Sequence, residues 1–440
     1  MSNLENYMKQ QAIFCEQNDS ISKNLYSEYG VKRGLRDEKG QGVLTGLTNI
    51  SDIKAFEYHD GVKSPCDGEL SYRGYNIKDL VTGGKGKRFI FEEGAYLLLF
   101  GELPTDTQLM EFQGRLSDCM ELPTNFTRDV IMKAPTSDIM GSMTRSILTL
   151  GSYDKEKESL EIPNVLRQSM QLIAVFPMLA VYAYHAYCHY EKNESMYIHR
   201  PEKDLSIAEN FLRLLRPDTK FTELEARVLD IALLLHMEHG GGNNSTFTTR
   251  VVTSSGSDTY SVISAAMSSL KGKKHGGANL MVMNMMDDIK SHVKDYEDEE
   301  EIASYLSKIL KKEAFDQKGL IYGMGHAVYS ISDPRERVFK GFVEQLARDK
   351  GREKDMTLYN NIEKIAPKLI AKQRQIFKGV SPNIDFYSGF VYTMLGIPEE
   401  MFTPMFATSR ISGWCAHRLE ELVNAGKIIR PAYKFVGHHR

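Results

Sequence analysis

From Phe91 onward nearly every periodic stretch of this chain repeats its apolar residues at helical spacing, and no regular strand alternates with those stretches. The pattern disfavours a βαβ sheet and predicts a mainly α fold. EEGAYLLLFGELP reads as an apolar helical stripe stopped by Gly101 and Pro104, and the next helix restarts after a capping Thr105 or Asp106. Further helices are expected over 136–150, 164–190, 205–215, 222–238, 258–271, 277–290, 297–312, 334–348, 357–378, 384–395, 398–406 and 408–425. The longest apolar run, Leu172–Tyr184, is about thirteen residues and contains Pro177. A bilayer needs about 20, so the run is expected to be a buried helix.

The chain ahead of Phe91 reads differently. Residues 1–45 are polar with several glycines, which suits a short helical arm (about 3–16) followed by a loop. Short alternation and frequent turn residues between Leu47 and Tyr75 fit one or two small strands. The basic, glycine-rich Thr82–Arg88 lacks the GKS or GKT ending of a phosphate-binding P-loop. The acidic run Asp295–Glu301 suits the solvated start of a helix.

At 440 residues the chain exceeds the ~250–300 at which one core stops growing, so two domains are expected. Lys plus Arg (55) nearly balances Asp plus Glu (58), which leaves no global basic bias for a nucleic-acid backbone. Any work on anions must fall to a local cluster of arginines. The five cysteines, 15, 66, 119, 188 and 415, are odd in number and form no CxxC pair, so a reduced compartment is expected. The opening MSNLENYMKQ carries Glu5 and no apolar h-region, so neither a secretory nor a transit signal is expected and the location is taken as cytoplasmic.

Four strings carry the chemistry. In LHMEHGGGN, His236 and His239 share a helical face. The HExxH spacing of zinc proteases is absent and no third ligand is placed, so no metal is expected. His236 is either a core histidine satisfied by backbone or a ligand contact, and His239, beside three glycines, faces substrate. In KKHGGAN, His275 precedes a helix, whose positive end favours a neutral imidazole able to donate to a carbonyl as it enolises. GMGHAVYSISDPR puts His326 after Gly323 and Gly325, which let backbone amides approach a ligand, and sets Arg335 after Pro334 at a helix start. In SPNIDFYSG, Asp385 sits where a loop becomes an apolar helix, a natural N-cap position.

The order and wording of these segments, from about Gly46 to the C-terminus, resemble citrate synthase. The resemblance implies a two-domain helical fold with minor β near 47–75: a large domain from 46–275 and 387–440, a small domain over 276–386, and an arm over 1–45. It implies that Asp385 is the general base, His275 the enol-supporting histidine and His326 the donor to the ketone of oxaloacetate. His239, Arg335, Arg410 and Arg430 would hold oxaloacetate, the last from the neighbouring subunit of a homodimer, with Leu172–Tyr184 part of the interface. Gly323, Gly325, Ala327 and Val328 would cover the adenine of coenzyme A. Family members often carry Lys or Arg where Ser330 stands, so either a phosphate contact is missing or Lys378 or the Arg88 loop supplies it. No cofactor is implied beyond the coenzyme A thioester, which is a substrate. The expected reaction joins acetyl-coenzyme A to oxaloacetate and hydrolyses citryl-coenzyme A. The rivals are 2-methylcitrate synthase, using propionyl-coenzyme A, and a catalytically silent binding or regulatory relative.

Overall fold

The computed structural model describes residues 2–83, 87–375, 379–424 and 426–440, which fall into two compact units, Met1–Leu47 and Thr48–Arg440. The first carries α1 (Asn3–Asp19), longer than the expected arm helix, and α2 (Lys23–Glu28). Ser2 and Glu5 cap α1 reciprocally, satisfying two otherwise orphaned N–H groups.

The second unit opens with a three-stranded antiparallel sheet in the order β1 (Ser51–His59), β2 (Val62–Tyr72), β3 (Tyr75–Asn76). That is one strand more than expected. Asp60 and Gly61 both take positive φ, 50° and 78°, which is the geometry that lets a two-residue hairpin follow the strand twist. The register shifts between Lys54 and Phe56, and Pro65 sits opposite Phe56 beside that bulge, where a missing N–H costs nothing.

The rest is helical: α3 (Ile77–Gly83), α4 (Ile90–Phe100), α5 (Asp106–Asp118), α6 (Ile139–Ser152), α7 (Ile162–Lys192), α8 (Ile207–Leu215) and α9 (Glu223–His236). After these come α10 (Asn244–Ser254), α11 (Thr259–Leu270), α12 (Ala278–His292), α13 (Glu299–Leu310), α14 (Pro334–Asp349), α15 (Glu353–Arg374), α16 (Asp385–Met394) and α17 (Phe402–Val423). The mainly α expectation therefore holds. Thr105 does cap α5, in a reciprocal box with Gln108. Helices expected separately over 398–406 and 408–425 are instead a 3₁₀ turn, Glu399–Met401, running into one long α17. No Gly or Pro lies between Phe406 and Thr408 to break it.

Helix α7 is long and apolar enough to span a membrane by composition alone, yet most of it is buried within the fold. It packs against α6, α8 and α17. Leu172 to Ala183 are all buried inside this one chain, so the run expected at a subunit interface is core instead. A 31-residue helix buried along its length has little of that stretch left to offer a partner.

Candidate functional site

Two of the candidate histidines have their proton placed by a backbone N–H. His275 lies just before α12, and its Nε2 accepts from the backbone N–H of Ser245 at 3.3 Å, with the Ser245 hydroxyl 2.8 Å away. An amide can only donate. The imidazole proton must therefore sit on Nδ1. Burial first, and then the charge of Arg410, push the His275 pKa down to about 4, so the ring is neutral at physiological pH. The helix terminus invoked from sequence is not the leading cause.

His326 is set the opposite way. Its Nδ1 accepts from the backbone N–H of Val328 (2.9 Å) and of Tyr329 (3.3 Å), which leaves the proton on Nε2. Burial and the nearby Arg335 hold its pKa at about 4. The Arg335 nitrogen 3.5 Å from that Nε2 then faces an N–H, and the contact is not a hydrogen bond. His239 is buried with its Nε2 2.9 Å from the Tyr329 hydroxyl, and its ring lies 5.2 Å from that of His326. Desolvation, followed by Arg335, holds its pKa well below the usual imidazole range.

The carboxylate and the histidines share the same two arginines as charged neighbours. Asp385 begins α16, but it does not cap the helix: Asn383 Oδ1 takes the Asp385 N–H at 3.0 Å. The Tyr387 and Ser388 N–H groups that a capping Asp385 would hold bond the Ile384 carbonyl instead, so its carboxylate caps nothing. Burial pushes its pKa up to about 6, opposed by Arg335 and Arg410 and reinforced by Asp333. Arg335 is 5% exposed and forks onto Asp333 at 2.9 and 3.1 Å. Arg410 is 1% exposed, donates its Nε to the His236 carbonyl at 2.8 Å and stacks on Phe406 at 4.7 Å. Its two terminal nitrogens take no partner among the described residues, so a fork of donors remains open for a carboxylate. Burial lowers its pKa to about 10, which still leaves it charged.

Phe406 joins the two sides, lying 6.1 Å from the His275 ring and 5.6 Å from that of His236. His236 in turn reaches Ser388, one turn along α16 from Asp385, at 3.1 Å. Its other nitrogen bonds the Ala232 carbonyl, so His236 is the backbone-satisfied core histidine. Glu238, the remaining candidate ligand, is committed to His417 (2.7 Å) and Ser51 (2.6 Å). Those bonds fall on Oε2 and leave Oε1 without a partner among the described residues, but no group of three or more His, Cys, Asp and Glu able to hold a metal occurs among them.

Backbone pairing fixes the loop before His326. Gly325 N–H donates to the Ser381 carbonyl at 2.8 Å, and Asn383 donates back to Gly323 O at 2.9 Å and, through Nδ2, to Gly325 O at 2.7 Å. Gly323 and Gly325 take φ of 84° and 85°, and a Cβ on Gly323 would come within 3.1 Å of Phe386. Ala327 and Val328 stand exposed beside it. Arg88 is committed to Glu209 at 2.6 Å, and the Ser330 hydroxyl is buried without a partner among the described residues. Lys378 lies outside the described residues. Arg430 is exposed on the extended chain after α17, beside the bond from the Ile429 N–H to Ser254.

Sequence reasoning missed Ser245, Asp333 and Tyr329. Asp333 accepts from both Arg335 and the Ile384 N–H (3.1 Å), tying the arginine to the helix that carries Asp385. The DPR string was the only local signal for it.

The site gathers a carboxylate raised by burial, two neutral imidazoles and, on Arg410, guanidinium N–H groups open among the described residues, a set suited to acid–base chemistry on an anionic substrate. Comparison with known proteins agrees. A family model described as citrate synthase, C-terminal domain, matches residues 38–432. A citrate synthase of Synechocystis is 35% identical over 90% of this chain and 91% of its own length. A 2-methylcitrate synthase of Shewanella oneidensis is 35% identical over 84% and 88%. The crystal structure of citrate synthase from Pyrobaculum aerophilum superposes with TM-score 0.74 at 30% identity, covering 93% of both chains. The ternary complex of Thermoplasma acidophilum citrate synthase with carboxymethyl coenzyme A and oxaloacetate gives TM-score 0.75 at 27% identity, covering 93% and 97%. The chain belongs to the citrate synthase family, and is an acyl-transferring enzyme of that family.

Proposed function

We propose that this enzyme condenses acetyl-coenzyme A with oxaloacetate and hydrolyses the citryl thioester to citrate and coenzyme A. The reading is supported by a buried carboxylate that caps nothing and that shares its arginine neighbours with both histidines, Arg410 with His275 and Arg335 with His326. Asp385 takes a methyl proton of the thioester, and Nδ1–H of His275 supports the developing enol oxygen. The enol carbon then attacks the oxaloacetate ketone while Nε2–H of His326 protonates the ketone oxygen, and water afterwards cleaves the thioester to release the thiol. Arg335, Arg410 and His239 grip oxaloacetate. No metal or redox group takes part in this scheme.

In the same reading residues 276–386 form the smaller, closing body, and Ala327 and Val328 lie along the adenine. Arg430 serves the site of a partner subunit in a homodimer, a role suited to an exposed arginine on an extended tail. A reduced, cytoplasmic setting accords with five free cysteines. Thiol release on mixing both substrates tests the scheme. Asp385→Ala should lose about three orders of magnitude of turnover, within the range for a general base, while still binding oxaloacetate; near wild-type turnover would remove Asp385 from the mechanism. Propionyl-coenzyme A is the second donor to assay, because relatives named for 2-methylcitrate are equally similar.

A further inference from the structure

Tyr329 touches both histidines assigned to oxaloacetate, through different atoms. Its backbone N–H donates to Nδ1 of His326, its hydroxyl lies 2.9 Å from Nε2 of His239, and its ring sits 4.7 Å from one imidazole and 5.4 Å from the other. The side chain is 2% exposed, and its hydroxyl has no other partner among the described residues. Room for the ring exists because Gly68 faces it: a Cβ there would come 2.6 Å from the Tyr329 ring.

A phenol beside an imidazole nitrogen can donate or accept, and the surroundings decide which. His239 shares its pocket with Arg335 and Arg410, the cations that would hold a dicarboxylate. If Nε2 carried the proton, Nδ1 would turn a lone pair towards the substrate's negative oxygens. If the phenol donates, the proton is on Nδ1 and an N–H faces them. Burial pushes the phenol pKa upward, so it retains the proton it must donate.

We propose that Tyr329 is a substrate-positioning residue, whose hydroxyl donates to Nε2 of His239 and so fixes an Nδ1–H aimed at the oxaloacetate carboxylate. The inference rests on His239 being an oxaloacetate contact. One residue thereby sets two imidazoles to opposite tautomers, His326 through its backbone and His239 through its side chain. Only the second can be removed by substitution.

The experiment is a double-mutant cycle on the full-length enzyme, with oxaloacetate as the probe. Tyr329→Phe should raise KM for oxaloacetate roughly tenfold, the value of one buried hydrogen bond, with kcat at saturation and KM for acetyl-coenzyme A within about twofold of wild type. In a His239→Gln background the same change should add less than about twofold, because its effect passes through the imidazole. If Tyr329→Phe leaves oxaloacetate KM unaltered while His239→Gln raises it, the positioning role is refuted and the His239 assignment survives. If neither variant moves it, the His239 assignment itself falls. Equal, additive losses in kcat and both KM values would mark Tyr329 as merely structural and overturn the proposal. Nitrogen-15 shifts of the labelled wild-type histidines give an independent readout: His239 must be protonated at Nδ1, and the other tautomer overturns the assignment.

Discussion

Lowering the pH separates the base from the histidines because the structure gives them different ionisation ranges. Asp385 titrates near 6, whereas His275 and His326 stay neutral down to about 4. The base works only when ionised, so activity must fall as pH drops through the raised carboxylate value. A single group of pKa 6 is about 97% ionised at pH 7.5 and about 9% at pH 5, so kcat/KM for acetyl-coenzyme A should drop roughly elevenfold over that interval. An ordinary carboxylate, or a histidine of pKa 4 as the base, would lose only about a tenth. Bound oxaloacetate adds negative charge and can only move the acid limb further up. The assay follows loss of thioester absorbance at subsaturating acetyl-coenzyme A, with circular dichroism confirming that the fold persists at each pH. A profile flat to pH 5 would refute the argument that burial, rather than the two arginines, sets the state of Asp385.

Other expectations follow from particular contacts. Arg410→Lys keeps the charge but loses the open fork, and should raise oxaloacetate KM by about ten- to a hundredfold in steady-state kinetics, with little change in melting temperature. Gly413→Ala would set a Cβ 2.3 Å from the Met237 carbonyl and 2.8 Å from Glu238 Oε1. Chemical denaturation should show a loss of about 1–3 kcal/mol, as for overpacking elsewhere. Glu225 is buried, a cost that Arg216, the Thr222 N–H and Lys350 more than offset, holding its pKa down at about 2. Its contribution is complete above the unfolded value of 4.5 and is lost as pH falls towards 2. After allowance for the solvent reaching both cations, Glu225→Gln should cost about 1–2 kcal/mol at pH 7, and the gap from wild type in thermal melts should narrow steadily below pH 4.5.

What the sequence could reveal divides along the range of the interactions. Helix starts set by neighbours three residues apart were readable, as at Thr105 and Gln108. So were Pro334 and the histidine strings, because their glycines and caps are local. Helix α10 escaped notice: NSTFTTRVVTS is rich in β-branched residues of poor helix propensity, and packing on α11 and α17 holds it instead. The proton positions were also hidden. Ser245 is thirty residues from His275, Asp333 fifty-one from Ile384, and His239 ninety from Tyr329. No periodicity encodes contacts at such separations. Asp385 stands at a natural cap position, yet the Tyr387 and Ser388 amides that it would hold bond the Ile384 carbonyl, a main-chain pairing that propensity does not encode.

The pairing of 323–325 with 381–383 has a consequence for how the reaction is timed. The loop that carries His326 and the residues that lead into the Asp385 helix are stapled together through main-chain atoms, which replacing a side chain by any residue other than proline leaves in place. If residues 276–386 close as one body in the proposed scheme, the spacing between His326 and Asp385 would travel with that body as a fixed gauge, and a bulky thioester could be admitted without resetting it.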